Sequence, residues 1–519
     1  MSNVVRNFVL CAAICGGVAS VGGCMVGPDP RPAQTAVPEQ WSAELARGLT
    51  TSSPQLARWW SVLGDRLLDD LIRRAIAGNT DMKSAIARVR EARANRGEAG
   101  AQLFPTLDAN ASYTHRRTAV GSSVSSSPEI DTFTTGFDAG WEVDIFGGVR
   151  RTIEQRQAEL EAARADLGNV LVSTLAEVAR NYVDMRSLQA RIGIAESNVR
   201  SQSDTLELVE LRRDAGLADE LEAAQARYNL SDTKSRIPPL QTSLAAARNR
   251  LAVLLGVSSG SLDRELASPA PVPSVPVTVA VGMSADLLRR RPDVARAEQQ
   301  LIAATAAIGV ATADLYPKLT LSGSVGLTAL DIGSLTSPSS RVWSIGPSLT
   351  WNVFDAGRIR QRIKASSARQ EQALAAYEGA VLAAYEEAEN ALVAFVREQV
   401  RRDNLTDTVS SAVLANQLAR TRYRSGLIDF QQVLETERAR LAFEEQLAQS
   451  SAAVTTDLIA IYKALGGGWE SVTFCGDRPC DASSPAAPTA PATGSPKAPN
   501  ASATTSGSVS SAPRRRAND

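Results

Sequence analysis

The chain has 519 residues, 55 Lys+Arg against 56 Asp+Glu and a formal net charge of −1, so there is no basic field to hold a nucleic acid. Aromatic residues make up only 5%, few for one large globular core. Long stretches rich in Ala, Leu, Glu, Arg and Gln favour extended helices packed through small residues instead.

The chain opens on a targeting segment: Arg6, an apolar stretch from Phe8 to about Val21, and small residues leading to Cys24. It is too short to span a membrane as a helix, and no other stretch approaches the eighteen or so apolar residues a span needs. Val21-Gly22-Gly23-Cys24 resembles a bacterial lipobox with Val in place of the usual Leu. This implies cleavage before Cys24 and its acylation, and Met25 in place of Asp directs the product to the outer membrane. An ordinary signal peptide with an incidental Cys is the alternative. Cys11 and Cys15 lie inside the apolar stretch and leave with it.

Residues 24–64 form an N-terminal anchor and an extended, Pro-rich segment, and 65–256 a first repeat of helix, β-hairpin, long helix and return helix. In its hairpin Leu107, Ala109, Ala111 and Tyr113 alternate with polar residues, as do Phe133, Phe137, Ala139, Trp141, Val143 and Ile145. One face is apolar and the other wet, as in a transmembrane barrel strand or a soluble sandwich. Leu171, Val178, Met185, Ile192, Val199 and Leu206 then recur every seven residues, a coiled-coil pattern. It runs to Gly216-Leu217, beyond which the chain turns back.

Residues 257–285 are a Pro-rich connector that cannot be helical. Residues 286–469 repeat everything: ADLYPKLTLSGS answers AQLFPTLDANAS, TWNVFDAG answers GWEVDIFGG, and Gly426-Leu427 answers Gly216-Leu217, all at offsets near 210 residues. The second hairpin alternates Leu319, Leu321, Val325, Leu327 and Ala329, then Trp343, Ile345, Leu349 and Trp351, with Pro347 asking for an edge or a bulge. Four strands cannot close a barrel in lipid, so the barrel is shared between chains, and three chains give twelve strands. The Ser-rich stretches Val120–Ser127 and Ser334–Ser340 are the hairpin tips. Residues 470–519 form a low-complexity tail, in which Cys475 and Cys480 could make a small disulfide loop or, less readily, bind metal.

The chain holds no Walker A loop, GxSxG or HExxH motif, and its one histidine, His115, lies near a hairpin tip. No catalytic residue, cofactor or metal is expected, and the chain does not read as an enzyme.

CMVGPDP, ARWWSVLGD, RRRPDVARAEQQLIAATAAIGVATADLYP, WEVDIFGGVRR and YKALGGGW together resemble the TolC family of outer-membrane efflux proteins, in its OprM/NodT-like lipoprotein branch. The likeness covers about Cys24 to Trp469, with Pro30 where the family usually has Tyr. It implies a mainly α protomer with a membrane β-barrel: a tandem-duplicated chain whose trimer makes a 12-stranded β-barrel continuous with a long α-helical coiled-coil periplasmic tunnel. It further implies a homotrimer in outer-membrane lipid, docked to a periplasmic membrane-fusion adaptor and an inner-membrane pump of the RND type, as the exit duct of a tripartite efflux system. A duct for type I protein secretion and a trimeric stalk or adhesin remain alternatives. Residue by residue, Gly216, Leu217, Gly426 and Leu427 match the family's adaptor-docking tips. Glu222 and Glu435 match acidic positions of its periplasmic gate, Tyr423 and Arg438 the partners that close it, and Gln432 stands where some members are acidic. A solvated i,i+3 helix pair is the alternative reading of Glu435 and Arg438.

Overall fold

A computed structural model describes residues 25–481 apart from 32–37, 39, 53, 55, 118–128, 283–289 and 476–477, with side chains described as far as residue 470. Cys24, the side chains of Cys475 and Cys480, the first hairpin tip at Val120–Ser127 and all but the first dozen residues of the tail lie outside these. The chain up to Cys480 is one unit; the second, 481–519, is described only at Asp481.

The elements run β1 (Leu49–Thr50), α1 (Arg66–Gly78), α2 (Thr80–Ala101), β2 (Thr106–Arg117), β3 (Glu129–Val143), α3 (Gly148–Asp214), α4 (Glu220–Leu254), β4 (Val279–Ala280), α5 (Pro292–Ala313), β5 (Lys318–Ala329), β6 (Arg341–Thr350), α6 (Arg358–Arg424), α7 (Phe430–Ala464), β7 (Val472–Cys475) and β8 (Arg478–Asp481). The halves match in length: α3 and α6 each have 67 residues, and α4 and α7 each have 35. A 67-residue helix is about 100 Å long. Among the described residues no helix is long and apolar enough to cross a membrane.

Both long helices start at a glycine in the left-handed region, Gly147 at φ +79° and Gly357 at φ +85°. An aspartate just upstream caps each start. Asp144 accepts from the Val149 and Arg150 amides at 3.2 and 3.0 Å, and Asp355 from the Gly357 and Ile359 amides, both at 2.9 Å. Such caps satisfy amides that have no partner within the helix. Where the sequence suggests one helix before the first hairpin, there are two. Asn79 accepts from the Asp81 and Met82 amides at 2.8 and 3.0 Å while its own amide donates to the Leu254 carbonyl at 2.9 Å. The residue that caps α2 therefore also pins it to the end of α4. Conversely α4 runs through Pro238 and Pro239, which local propensity opposes; Thr233 and Leu240 on either side are buried and hold it to the bundle.

The principal sheet is antiparallel, in the order β2-β3-β5-β6. Its register sets Ala109, Phe137, Val325 and Trp343 in one row, and Asp108, Asp138, Ser324 and Ser344 in the next. The alternation expected from sequence is thus carried across all four strands. Neither face is covered: β2 is exposed at every residue and β6 at all but Gly346. Pro347 lies in the edge strand opposite Leu321, in unbroken register and without a bulge. At the helix-proximal end of the sheet each half repeats one seal. The Trp141 indole donates to the Leu103 carbonyl and the Trp351 indole to the Leu315 carbonyl, both at 3.0 Å.

The main apolar core joins the N-terminal segment, α1, the connector and the return helices to the long helices. Trp59 stacks on Tyr462 at 5.4 Å and meets Trp60 edge-on at 5.9 Å. The connector is largely irregular, as its prolines require, and contributes β4, which pairs in parallel with β1.

Candidate functional site

The two ends where long helices hand over to return helices share one backbone design. Gly216 and Gly426 both sit at φ +71°. The Gly216 amide donates to the Arg213 carbonyl at 2.9 Å and the Leu217 amide to Arg212 at 2.8 Å; Gly426 and Leu427 do the same to Tyr423 and Arg422, both at 2.9 Å. This is a Schellman turn, in which glycine avoids the strain a Cβ brings. Leu217 and Leu427 are 68% and 73% exposed, so the turns present an apolar side chain to solvent instead of packing it.

Behind the turns a small core gathers both halves: Val209, Ala223 and Ala226 from the first, Ala419, Tyr423, Phe430, Val433 and Leu434 from the second. Tyr423 is its polar hinge. Its hydroxyl donates to Glu222 Oε2 at 2.8 Å, its ring carries the Arg212 guanidinium at 4.6 Å, and Arg212 also donates to its carbonyl at 2.7 Å. Burial, then the Glu222 carboxylate, pushes the Tyr423 hydroxyl well above its ordinary pKa, so it stays a donor. Three helices from two repeats are held by one side chain.

The other residues singled out by sequence separate from this contact. Gln432 and Glu435 are exposed, and among the described residues the Glu435 carboxylate has no side-chain partner. Arg438 does not pair with Glu435. It reaches across to α4, donating to Tyr228 Oη at 2.6 Å and Asn229 Oδ1 at 3.1 Å. The glycines and leucines that the family likeness matches to docking tips lie at the turns, one step farther along the same helices.

One carboxylate went unnoticed in the sequence. Glu437, 4% exposed, accepts from Thr205 Oγ1 at 2.8 Å and, more distantly, from Asn229 Nδ2 at 3.5 Å. Burial raises its pKa, opposed by the Thr205 bond and by Arg420 and Arg440. Its only signal is a Glu on the Val433–Leu441 side of α7, indistinguishable by type from its solvated neighbour Glu435.

At the opposite end of the helices, Arg151 is 1% exposed and holds the N-terminal segment. It donates to the Val26 and Gly27 carbonyls at 3.1 and 3.3 Å and pairs with Asp29 and Glu154, both at 2.7 Å. Met25 lies against Gly147 where β3 gives way to α3.

A sequence profile of the outer membrane efflux protein family matches residues 71–257 and 283–467. The pyoverdine export outer membrane protein OpmQ of Pseudomonas aeruginosa is 33% identical over 87% of this chain and 95% of its own length. The cation efflux system protein CusC of Escherichia coli is 30% identical over 86% and 96%. Among solved structures, the outer-membrane channel OprN superposes with a TM-score of 0.81 at 37% identity, covering 86% of this chain and all of its own. The sheet, the duplicated long helices and these relatives agree: the chain is an outer-membrane efflux protein and belongs to the outer membrane efflux protein family.

Proposed function

We propose that three copies of the chain close their four-stranded sheets into one twelve-stranded barrel, with the helices below forming a tunnel that is shut at rest by the turn end. The observation that carries this is the bare sheet: an apolar face, a polar face and two unpaired edges, none of which a single chain can satisfy in lipid. The protein is then the passive exit duct of a tripartite efflux system, its turns docked to a periplasmic adaptor and the driving force supplied by an inner-membrane pump of the RND type. Leu217 and Leu427 form the docking surface; the Glu222–Tyr423–Arg212 contact holds the gate closed, with Arg438 bracing α7 to α4. Glu435, unpaired among the described residues, faces its copies at the axis together with Gln432. Acylated Cys24 anchors the chain, supported by the Arg151 clamp that sets residue 25 at the base of the sheet.

The relatives export pyoverdine and cations, so a duct of this build serves small solutes of different chemistry, and the pump selects among them. Planar-bilayer recording of the purified protein tests the reading: discrete single-channel steps are expected. Their absence from trimeric protein both as the parent and with Tyr423→Phe, which releases the closed end, would leave a trimeric stalk as the function.

A further inference from the structure

Each repeat serves as an internal reference for the other: a charge that the shared fold requires should recur, and a charge found in one repeat alone answers to something else. The first repeat neutralises the cations at the start of its long helix, Arg150 pairing with Asp144 at 3.1 Å and Arg151 with Asp29 and Glu154, both at 2.7 Å. The second repeat starts its helix with Arg358, Arg360, Arg362 and Lys364, all exposed. Of these four, only Arg362 forms an ion pair among the described residues, with Asp314 at 2.8 Å. Cations in the first turns of a helix stand against its dipole, which favours anions there. Local stability does not account for them.

Arg358 and Arg362 lie four residues apart on one side of α6, and with Lys318 they line a recess of about 240 Å³ where the sheet meets the helices. Thr350 and Asn352 add a hydroxyl and an amide to its wall. Asp314 is the carboxylate there, bonded to Arg362 and 3.4 Å from Lys318, so among the described lining residues three cations face one anion. The Asp355 carboxylate nearby is taken up by the Gly357 and Ile359 amides that it caps. Where the second repeat has Lys318, Arg358 and Arg362, the first has Thr106, Gly148 and Thr152, and in place of Asn352 it has Glu142. One architecture carries opposite charge in its two copies.

We propose that this recess binds the anionic end, a carboxylate or a phosphate, of a solute passing through the duct. The proposal rests on the duct reading, because Lys318 and Thr350 continue the polar face of the sheet below Thr320 with Ser348 and Ser324 with Ser344, the face that meets water in a closed barrel.

The lining sets the class of ligand. Guanidinium groups present paired donors that match the oxygens of a carboxylate or phosphate, and an ammonium group adds a point charge. The recess is smaller than the roughly 300–1,000 Å³ of a site that takes a whole drug-sized molecule, so it holds one charged end and leaves the rest of the solute in the channel. The side chains of Lys318 and Arg362 are 52% and 53% exposed, and an arriving oxyanion reaches them without displacing Asp314. Arg360 and Lys364 project from the opposite side of α6 by helical geometry, away from the recess, and provide a matched pair of cations that should not take part.

The test is isothermal titration of the detergent-solubilised full chain with citrate at low ionic strength. Saturable binding at one site per chain is expected, weakened several-fold by Arg358→Gln with Arg362→Gln and little changed by Arg360→Gln with Lys364→Gln. All four side chains are exposed, so both double variants should fold as the parent does. Absence of saturable binding to the folded parent overturns the site. Equal weakening by the two pairs does the same, since it reduces the effect to a diffuse field. In nanodiscs, citrate binding should survive replacement of phosphatidylcholine by phosphatidylglycerol; its loss there gives the recess to a lipid headgroup and overturns the solute reading. Calorimetry needs no open channel, so failure of the site is distinct from failure of the duct reading, which shows as missing single-channel steps.

Discussion

Tyr423 and Glu437 show how much depends on where a single polar atom is buried. The Tyr423 hydroxyl joins α6 of the second repeat to Glu222 on α4 of the first. Tyr423→Phe keeps the ring beneath Arg212 and removes only that bond, worth about 1–2 kcal/mol for a partly buried charge-assisted contact. A higher resting conductance in bilayers is expected, and an unchanged one would take Tyr423 out of the gate. Glu437 carries a pH dependence. Its pKa in the folded chain is raised by burial, so its contribution to packing is full below the ordinary carboxyl value and is lost as pH rises through the raised value. The groups facing it are Thr205 on α3, Asn229 on α4, Arg420 on α6 and Arg440 on α7. Glu437→Gln should therefore raise the melting temperature at about pH 8 and change it little near pH 4. A variant that melts lower at the alkaline end would show that the arginines need the carboxylate charge more than the core resents it.

At the scale of elements, the chain separates stiffness from contact. The two 67-residue helices and their glycine-capped turns set where Leu217 and Leu427 stand, while the leucines themselves are mostly exposed. Leu217→Asp with Leu427→Asp should accordingly leave the melting curve within about a degree of the parent, since exposed surface changes cost little, and abolish chemical cross-linking to the adaptor. Retained cross-linking would move docking away from the turns. The N-terminal strap is the opposite case, a segment without secondary structure held chiefly by one buried side chain, beside the bond from the Val26 amide to the Phe146 carbonyl at 3.2 Å. Arg151→Ala removes its bonds to Val26, Gly27 and Asp29 together. Limited proteolysis should then cut within residues 25–31 in the variant and spare the parent, the helices surviving in both.

On the scale of the whole molecule, the exposed sheet and the covered helices divide the labour between membrane and periplasm. The sheet holds the protein in lipid, so the acyl chain proposed on Cys24 would add an anchor to a fold that already has one; a single chain binds membranes only weakly and reversibly. Cys24→Ala should remove the lipid from the intact mass yet leave conducting trimers, and a variant unable to form channels would make the anchor part of assembly. Selectivity gives a second reading at this scale. If three unpaired Glu435 carboxylates converge at the narrow end, cations are favoured there. Glu435→Gln should then lower the cation preference in reversal-potential measurements without altering the trimer.

Sequence by itself determined the duplication, the face of each strand, the lengths of the long helices and both glycine turns. These depend on local periodicity and on residues such as Gly216 and Gly426, whose backbone conformation few others adopt without strain. The family likeness assigned Tyr423 and Glu222 to one gate region, but their contact across 201 residues of chain came only with the structure. The rest needed tertiary structure. Asn79 breaks a helix because the Leu254 carbonyl waits for its amide. Arg438 abandons the i,i+3 partner on its own helix for Tyr228 and Asn229, because bonds across packed helices outweigh a solvated pair worth a few tenths of a kcal/mol. Arg151 and Glu437 are charged residues in sequence and buried keystones in the fold. Burial belongs to the neighbours a residue acquires, and those neighbours come from helices that the chain visits more than a hundred residues apart.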